Sequence, residues 1–147
     1  MEWGKDIFSA TIVTGLIVGA AYAAERDPLA PRVPSDQIAA AKAWKNPYRP
    51  TPENIARGKE LFTAKATCFV CHGNEGRGDG PVGATLVPPP TNFHNPKFDQ
   101  VRTPGEMLWV IKNGSPGTGM ISYTPSIINE DEAALIILYE KSLGSQP

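Results

Sequence analysis

Cysteine and histidine are scarce in this chain: two of each in 147 residues. Two thiols cannot build a four-sulfur zinc or iron–sulfur site. A two-Cys, two-His zinc site would have to enlist His72 and His94, whose spacing fits no finger. An excess of one charge is also lacking. Fourteen basic residues stand against 15 acidic ones, for a formal net charge of -1. There is thus no basic surplus to hold nucleic acid by counterion release, and no block of like charge reads as an interaction tail. No segment alternates convincingly as a strand, and there is no internal repeat. The glycine-rich stretch of residues 73–83 is not followed by Gly-Lys-Ser/Thr, so a phosphate loop is excluded.

What the chain does carry is glycine and proline, 14 and 15, about one residue in five together. That is too little for a low-complexity chain, but enough to predict long ordered loops between few helices. Such loops need something to pack against, and a large rigid cofactor would supply it.

The chain divides into three parts. Residues 7–24, IFSATIVTGLIVGAAYAA, are apolar, uncharged, and end in Ala21-Tyr22-Ala23, a site of the kind a signal peptidase cuts. The residues before them are a weak preamble, because Glu2 and Asp6 cancel Lys5 and the amino terminus. The 18 apolar residues are borderline for a bilayer span. Residues 1–24 therefore read either as a cleaved signal peptide or as a single-span membrane anchor. Both place the remainder in the periplasm or its equivalent, tethered to the inner membrane in the second case. Residues 25–50 form a proline-rich arm, kept mostly extended by Pro28, Pro31, Pro34, Pro47 and Pro50. A short helix from Asp36 to Trp44, capped by Ser35, is expected to interrupt it. The arm reads as a spacer, a strap across a partner, or a wrap on its own domain.

Residues 51–147 are the folded unit, expected to be all-α with three main helices. The first has Thr51 as cap and Pro52 at its first position, with Ile55, Gly58 and Phe62 on one face. The second runs from the capping box Thr103–Glu106 to Asn113-Gly114. The third starts at the capping box Asn129–Glu132 and stops near Gly144. Its run AALIILY is apolar on nearly every side, which predicts a largely buried helix.

Cys68-Phe69-Val70-Cys71-His72 is the c-type haem attachment sequence. Two thiols add across the two vinyl groups of one haem, and the two intervening residues match the distance between those vinyls. The adjacent histidine then falls under the iron. A thioredoxin-like dithiol would expect a βαβ context, whereas this motif closes a capped helix. One motif predicts one covalent haem c.

Two methionines besides Met1 compete for the second axial position, where His/Met ligation would raise the potential. Met107 sits among Val110 and Ile111 in a helical apolar pattern and reads as core filler. Met120 sits in the irregular loop NGSPGTGMISYTP and reads as the sixth ligand. His94, in TNFHNP, is the competitor, and would make a bis-histidine site of lower potential.

On these residues, 55–143 resemble the class I cytochrome c family. Gly58 and Phe62 stand where that family has a Gly and an aromatic one turn apart before CxxCH, and Tyr139 stands where its last helix has an aromatic. The stretch from Cys71 to Phe93, CHGNEGRGDGPVGATLVPPPTNF, resembles haem subunits or domains of bacterial respiratory complexes. The resemblance implies helices and long loops wrapped around one covalent haem, with the distal methionine in a loop before the last helix. It also implies a proline carbonyl after CxxCH that accepts the ring N–H of His72, for which Pro88 is preferred over Pro89 and Pro90. Trp109 is expected either against the haem or in the plain core. Gly73, Gly76, Gly78, Gly80 and Gly83 are expected to supply positive φ in a loop hugging the porphyrin. The function expected is one-electron transfer between a redox protein donor and acceptor, not enzyme catalysis. The protein would be a periplasmic carrier or the haem subunit of a membrane respiratory complex. The rival is a haem protein with an open distal site, a peroxidase or gas sensor, for which the chain offers only His94 and Arg77 as a distal pair.

Overall fold

A computed structural model describes residues 27–30 and 32–144. The segment 1–24, with its two readings as signal or anchor, lies outside the described residues. Among the described residues no helix is long and apolar enough to cross a membrane. The described structure is helical, with no strand: α1 (Ile38–Ala43), α2 (Pro52–Thr63), α3 (Phe69–His72), α4 (Phe98–Val101), α5 (Pro104–Asn113) and α6 (Glu130–Gly144), with a 3-10 turn at Gly83–Thr85.

The three main helices begin where their capping chemistry dictates. Thr51 Oγ1 accepts from the Asn54 amide at 3.3 Å, with Pro52 in the first turn of α2. At α5 the box is reciprocal: the Glu106 amide donates to Thr103 Oγ1 at 3.3 Å and the Thr103 amide donates to Glu106 Oε2 at 2.9 Å. At α6 Asn129 and Glu132 repeat it at 2.9 and 3.0 Å. Each cap contributes about 1 kcal/mol by satisfying amides that no helical carbonyl can reach.

The core is the crossing of α2 over α6. Gly58 is required there: a Cβ would run into the Leu135 carbonyl and press on the Tyr139 side chain. Without it the helices close, and Phe62, wholly buried, meets the Tyr139 ring edge-on at 5.3 Å and 69°. α6 buries Ala133, Ala134, Ile136, Ile137, Leu138, Tyr139 and Leu143, because α2, α5 and α4 all pack against it.

The arm departs from expectation in detail. Its helix is shorter, Ile38–Ala43, and Ser35 does not cap it. The Pro34 carbonyl takes the amides of Gln37 and Ile38, so a turn fills the place of the expected first residues. The described arm residues wrap their own domain. Asn46 Nδ2 donates to the Ala134 carbonyl at 2.7 Å, and α1 presses so closely on α5 that a Cβ at Gly105 would strike the Ala41 carbonyl. Leu29 and Trp44 pack on the core.

Candidate functional site

Thr67, with φ of 51°, turns the chain sharply between α2 and α3. The Cys68 amide donates back to the Phe62 carbonyl at 2.9 Å, fixing α3 to the end of α2. The amides of Cys71 and His72 both donate to the Cys68 carbonyl, so the motif forms a single helical turn. One turn puts residues three apart on the same side, and Cys68, Cys71 and His72 all line one cavity. That cavity opens to solvent at its mouth and is lined mostly by apolar atoms, as cofactor sites are. Both cysteines are free thiols and half-buried. Burial raises the Cys68 thiol, which keeps it neutral.

His72 is held on two sides. Its ring stacks on Phe93 at 4.8 Å and 21°, and Nδ1 lies 3.0 Å from the Thr91 carbonyl. A carbonyl only accepts, so Nδ1 carries the proton and Nε2 is left with its lone pair. Burial lowers the His72 pKa, against the opposing pull of the Thr91 carbonyl, and so favours the neutral ring.

The acceptor is therefore Thr91, not the expected Pro88. The loop is pinned where the Phe93 amide donates to the Gly76 carbonyl at 2.9 Å, and where Thr91 Oγ1 donates to Pro28 at 2.9 Å. These ties bring the Thr91 carbonyl to the ring, while Pro88 is buried in the cavity wall. The glycine expectation also needs correction. Gly73, Gly76 and Gly78 have positive φ, but Gly80 and Gly83 do not. Gly80 serves closeness instead: a Cβ there would meet the carbonyls of Phe69 and Val70.

Met120 lines the same cavity. Its amide donates to Thr118 Oγ1 at 3.1 Å and its carbonyl accepts from Ser115 at 2.9 Å, so the loop holds it by its own backbone. Met107, Ile111 and Ile136 supply apolar wall. His94 is elsewhere, with Nε2 2.7 Å from the Glu75 carbonyl. Trp109 turns to the arm, where its Nε1 donates to Gln37 Oε1 at 2.7 Å.

Sequence reasoning missed Thr91, Phe93, Arg102 and Glu140, all cavity-lining. A backbone acceptor such as Thr91 has no side-chain signature. Glu140 did have one, an acid set against the apolar run of α6. Burial pushes its carboxyl up to about 8, with Arg102 drawing it back down. Arg102 Nε is buried, with no partner among the described residues.

A covalent c-type haem fits these residues. Two thiols, an imidazole with a free Nε2, a thioether and apolar walls share one space, and Arg102, whose Nε–H is unpaired among the described residues, lines it too.

A family model described as cytochrome c matches residues 55–144. Among solved structures, a chain of the Kuenenia stuttgartiensis reducing HAO-like protein complex is similar at 34% identity with a TM-score of 0.57. The match covers 66% of this chain and 46% of that one, so it spans about half that chain's length. No curated protein matches.

Proposed function

The chain belongs to the cytochrome c family, and we propose that it holds one covalent haem, ligated by His72 and Met120, and passes single electrons outside the cytoplasm. Membership of the family brings covalent c-type haem and haem-based electron transfer. The haem supplies an iron that alternates between ferric and ferrous. The chain's own part is to keep two ligands fixed, to exclude water and to offer a surface for a partner.

One observation carries the ligand assignment: His72, with Nε2 free, and Met120 line the same cavity while His94 does not. A thioether is a soft ligand that suits ferrous iron and raises the potential. Packing around His72 and the hydrogen-bonded loop around Met120 keep both side chains in place, so little rearrangement accompanies each electron. Leu86 and Ile121 line the cavity, and Ile121, 61% exposed, and Val87, 62% exposed, lie at or beside its wall. An apolar rim of this kind suits small, transient redox contacts. Similarity to a chain of a redox-named complex supports a second form of the same role, as a haem subunit docked on a larger assembly.

The test is spectroscopic. Haem should stay with the denatured chain through acid–acetone extraction, at one per chain by intact mass. Met120→Ala should abolish the weak sulfur-to-iron charge-transfer band of the ferric state and open the ferrous protein to carbon monoxide. Met107→Leu, a near volume-conserving change, should do neither. If His94→Ala changes the spectrum and Met120→Ala does not, the assignment fails. Ready binding of carbon monoxide by the unaltered protein would favour the open-site reading.

A further inference from the structure

Arg102 is a buried cation that makes no ion pair among the described residues. It is 8% exposed. One terminal nitrogen donates to the Ala30 carbonyl at 2.8 Å, and Nε has no partner among the described residues. The acids near it are engaged elsewhere or neutral. Glu106 accepts from Thr103 and faces Lys42. Asp27 accepts from the Leu29 amide. Glu140, pushed up to about 8, keeps its proton at neutral pH. Burial lowers the Arg102 guanidinium, Glu106 and Asp27 raise it, and the like charge of Arg32 lowers it again. Arg32 and Arg102 both line the cavity. A buried cation is stable only when an anion meets it, and this one lines the cofactor cavity with its Nε–H unpaired among the described residues.

The arm builds this corner. Residues 27–30 form a turn, closed by the Ala30 amide on the Asp27 carbonyl at 3.2 Å. Its Ala30 carbonyl holds Arg102, and its Pro28 carbonyl takes the hydroxyl of Thr91. Thr91 in turn presents its own carbonyl to His72. These arm residues precede the stretch matched by the family model, which begins at residue 55.

We propose that the N-terminal arm and Arg102 together form a carboxylate-binding corner that takes a propionate side chain of the haem and, through Thr91, ties the arm to the proximal histidine. The inference rests on the haem reading above. A guanidinium N–H fork matches a carboxylate in shape and charge. Arg102 holds the propionate ionised, and its charge favours the reduced state. The arm's two carbonyls position Arg102 and Thr91.

The experiment uses the full haem-loaded chain and compares Arg102→Gln, Arg102→Lys, Thr91→Val and Thr91→Ser. The readouts are the propionate-bending band in resonance Raman spectra, the midpoint potential against pH, and limited proteolysis of the arm. Arg102→Gln should move the Raman band and lower electron affinity about tenfold, which is 59 mV for a one-electron couple. It should also make the potential more pH-dependent, because a propionate without its cation binds protons more readily. Arg102→Lys should recover part of the potential. Thr91→Val should speed cleavage of residues 27–34 about tenfold and shift the band, while Thr91→Ser should do neither. If Arg102→Gln does not accumulate as folded holoprotein, the lysine variant and the Thr91 pair decide the matter. An Arg102 variant whose Raman band and pH profile superpose on those of the unaltered protein overturns the corner and leaves the haem reading intact. A preparation without covalent haem overturns both.

Discussion

The two proposed ligands, His72 and Met120, line the cavity from regions built on different principles. His72 sits in a region held by side chains. Phe93 stacks on its ring, Phe62 stands 6.4 Å away, and α3 is bonded to the end of α2. Met120 sits in a loop held by its own backbone and two hydroxyls. Ser115 and Thr118 make its turns, Ser122 Oγ donates to the Lys112 carbonyl at 2.6 Å, and the next residue, Ile121, is 61% exposed. Loss of packing is costly, whereas loss of one turn bond is modest. The histidine side is therefore the frame, and the methionine side is where the domain yields first.

The largest effect should come from breaking the frame. Phe93 is buried, stacks on His72 and meets Phe62 and Phe98 edge-on at 6.2 and 5.2 Å. Phe93→Ala should cost about 3–5 kcal/mol in chemical denaturation of the holoprotein, with the proximal ligation weakened as well. A cost near 1 kcal/mol would mean the two sides are held alike.

Next comes a pH effect at Glu140, on the helix both sides lean on. Folded Glu140 keeps its proton up to about pH 8, while the unfolded residue releases it near its ordinary value of 4.5. Stability from this group is therefore greatest below about pH 4.5 and falls as pH rises to about 8. The total is on the order of a few kcal/mol. Glu140→Gln should flatten that decline in denaturation curves taken across the window. An unchanged slope would show that the carboxyl ionises freely.

A smaller effect tests the yielding side. Thr118→Val removes the acceptor of the Met120 amide and should cost about 1 kcal/mol. On warming, the sulfur-to-iron band should fade before the fold melts. Simultaneous loss of both would place methionine release and unfolding in one step. The smallest effect should be a gain on the frame side. Thr67 is an exposed β-branched residue at φ of 51°, and Thr67→Gly should stabilise by about 0.5 kcal/mol. Relief of the left-handed backbone slightly outweighs the added chain entropy. A loss in the melting temperature would show that no strain is held there.

The same contrast explains what could be read in advance. The helices were legible because their signals are local: Thr51 with Pro52, Thr103 with Glu106, and Asn129 with Glu132 each act within four residues. The attachment motif was legible for the same reason. Gly58 and Tyr139 could be paired only through a family resemblance, since nothing local says that residues so far apart touch. The Thr91 carbonyl was misassigned to Pro88 because an acceptor on the main chain is chosen by the path of the loop. The corner at Arg102 depends on a turn more than 70 residues earlier, and no periodicity connects the two. Trp109 was open between the haem and the plain core, and only the docked arm shows why its Nε1 reaches Gln37.

The crossing at Gly58 joins the two ends of the folded unit, so the chain between α2 and α6 is a circuit closed by packing as well as by covalent bonds. A cut in such a circuit opens one link and leaves the other. Pro116 and Gly117 lie at an exposed tip, the kind of site where nicking is tolerated. A chain cleaved there becomes two pieces, one carrying α2 and the attachment motif, the other Met120 and α6. Phe62 against Tyr139 keeps them in register, so the broken strand should travel as one particle until that interlock is pulled apart.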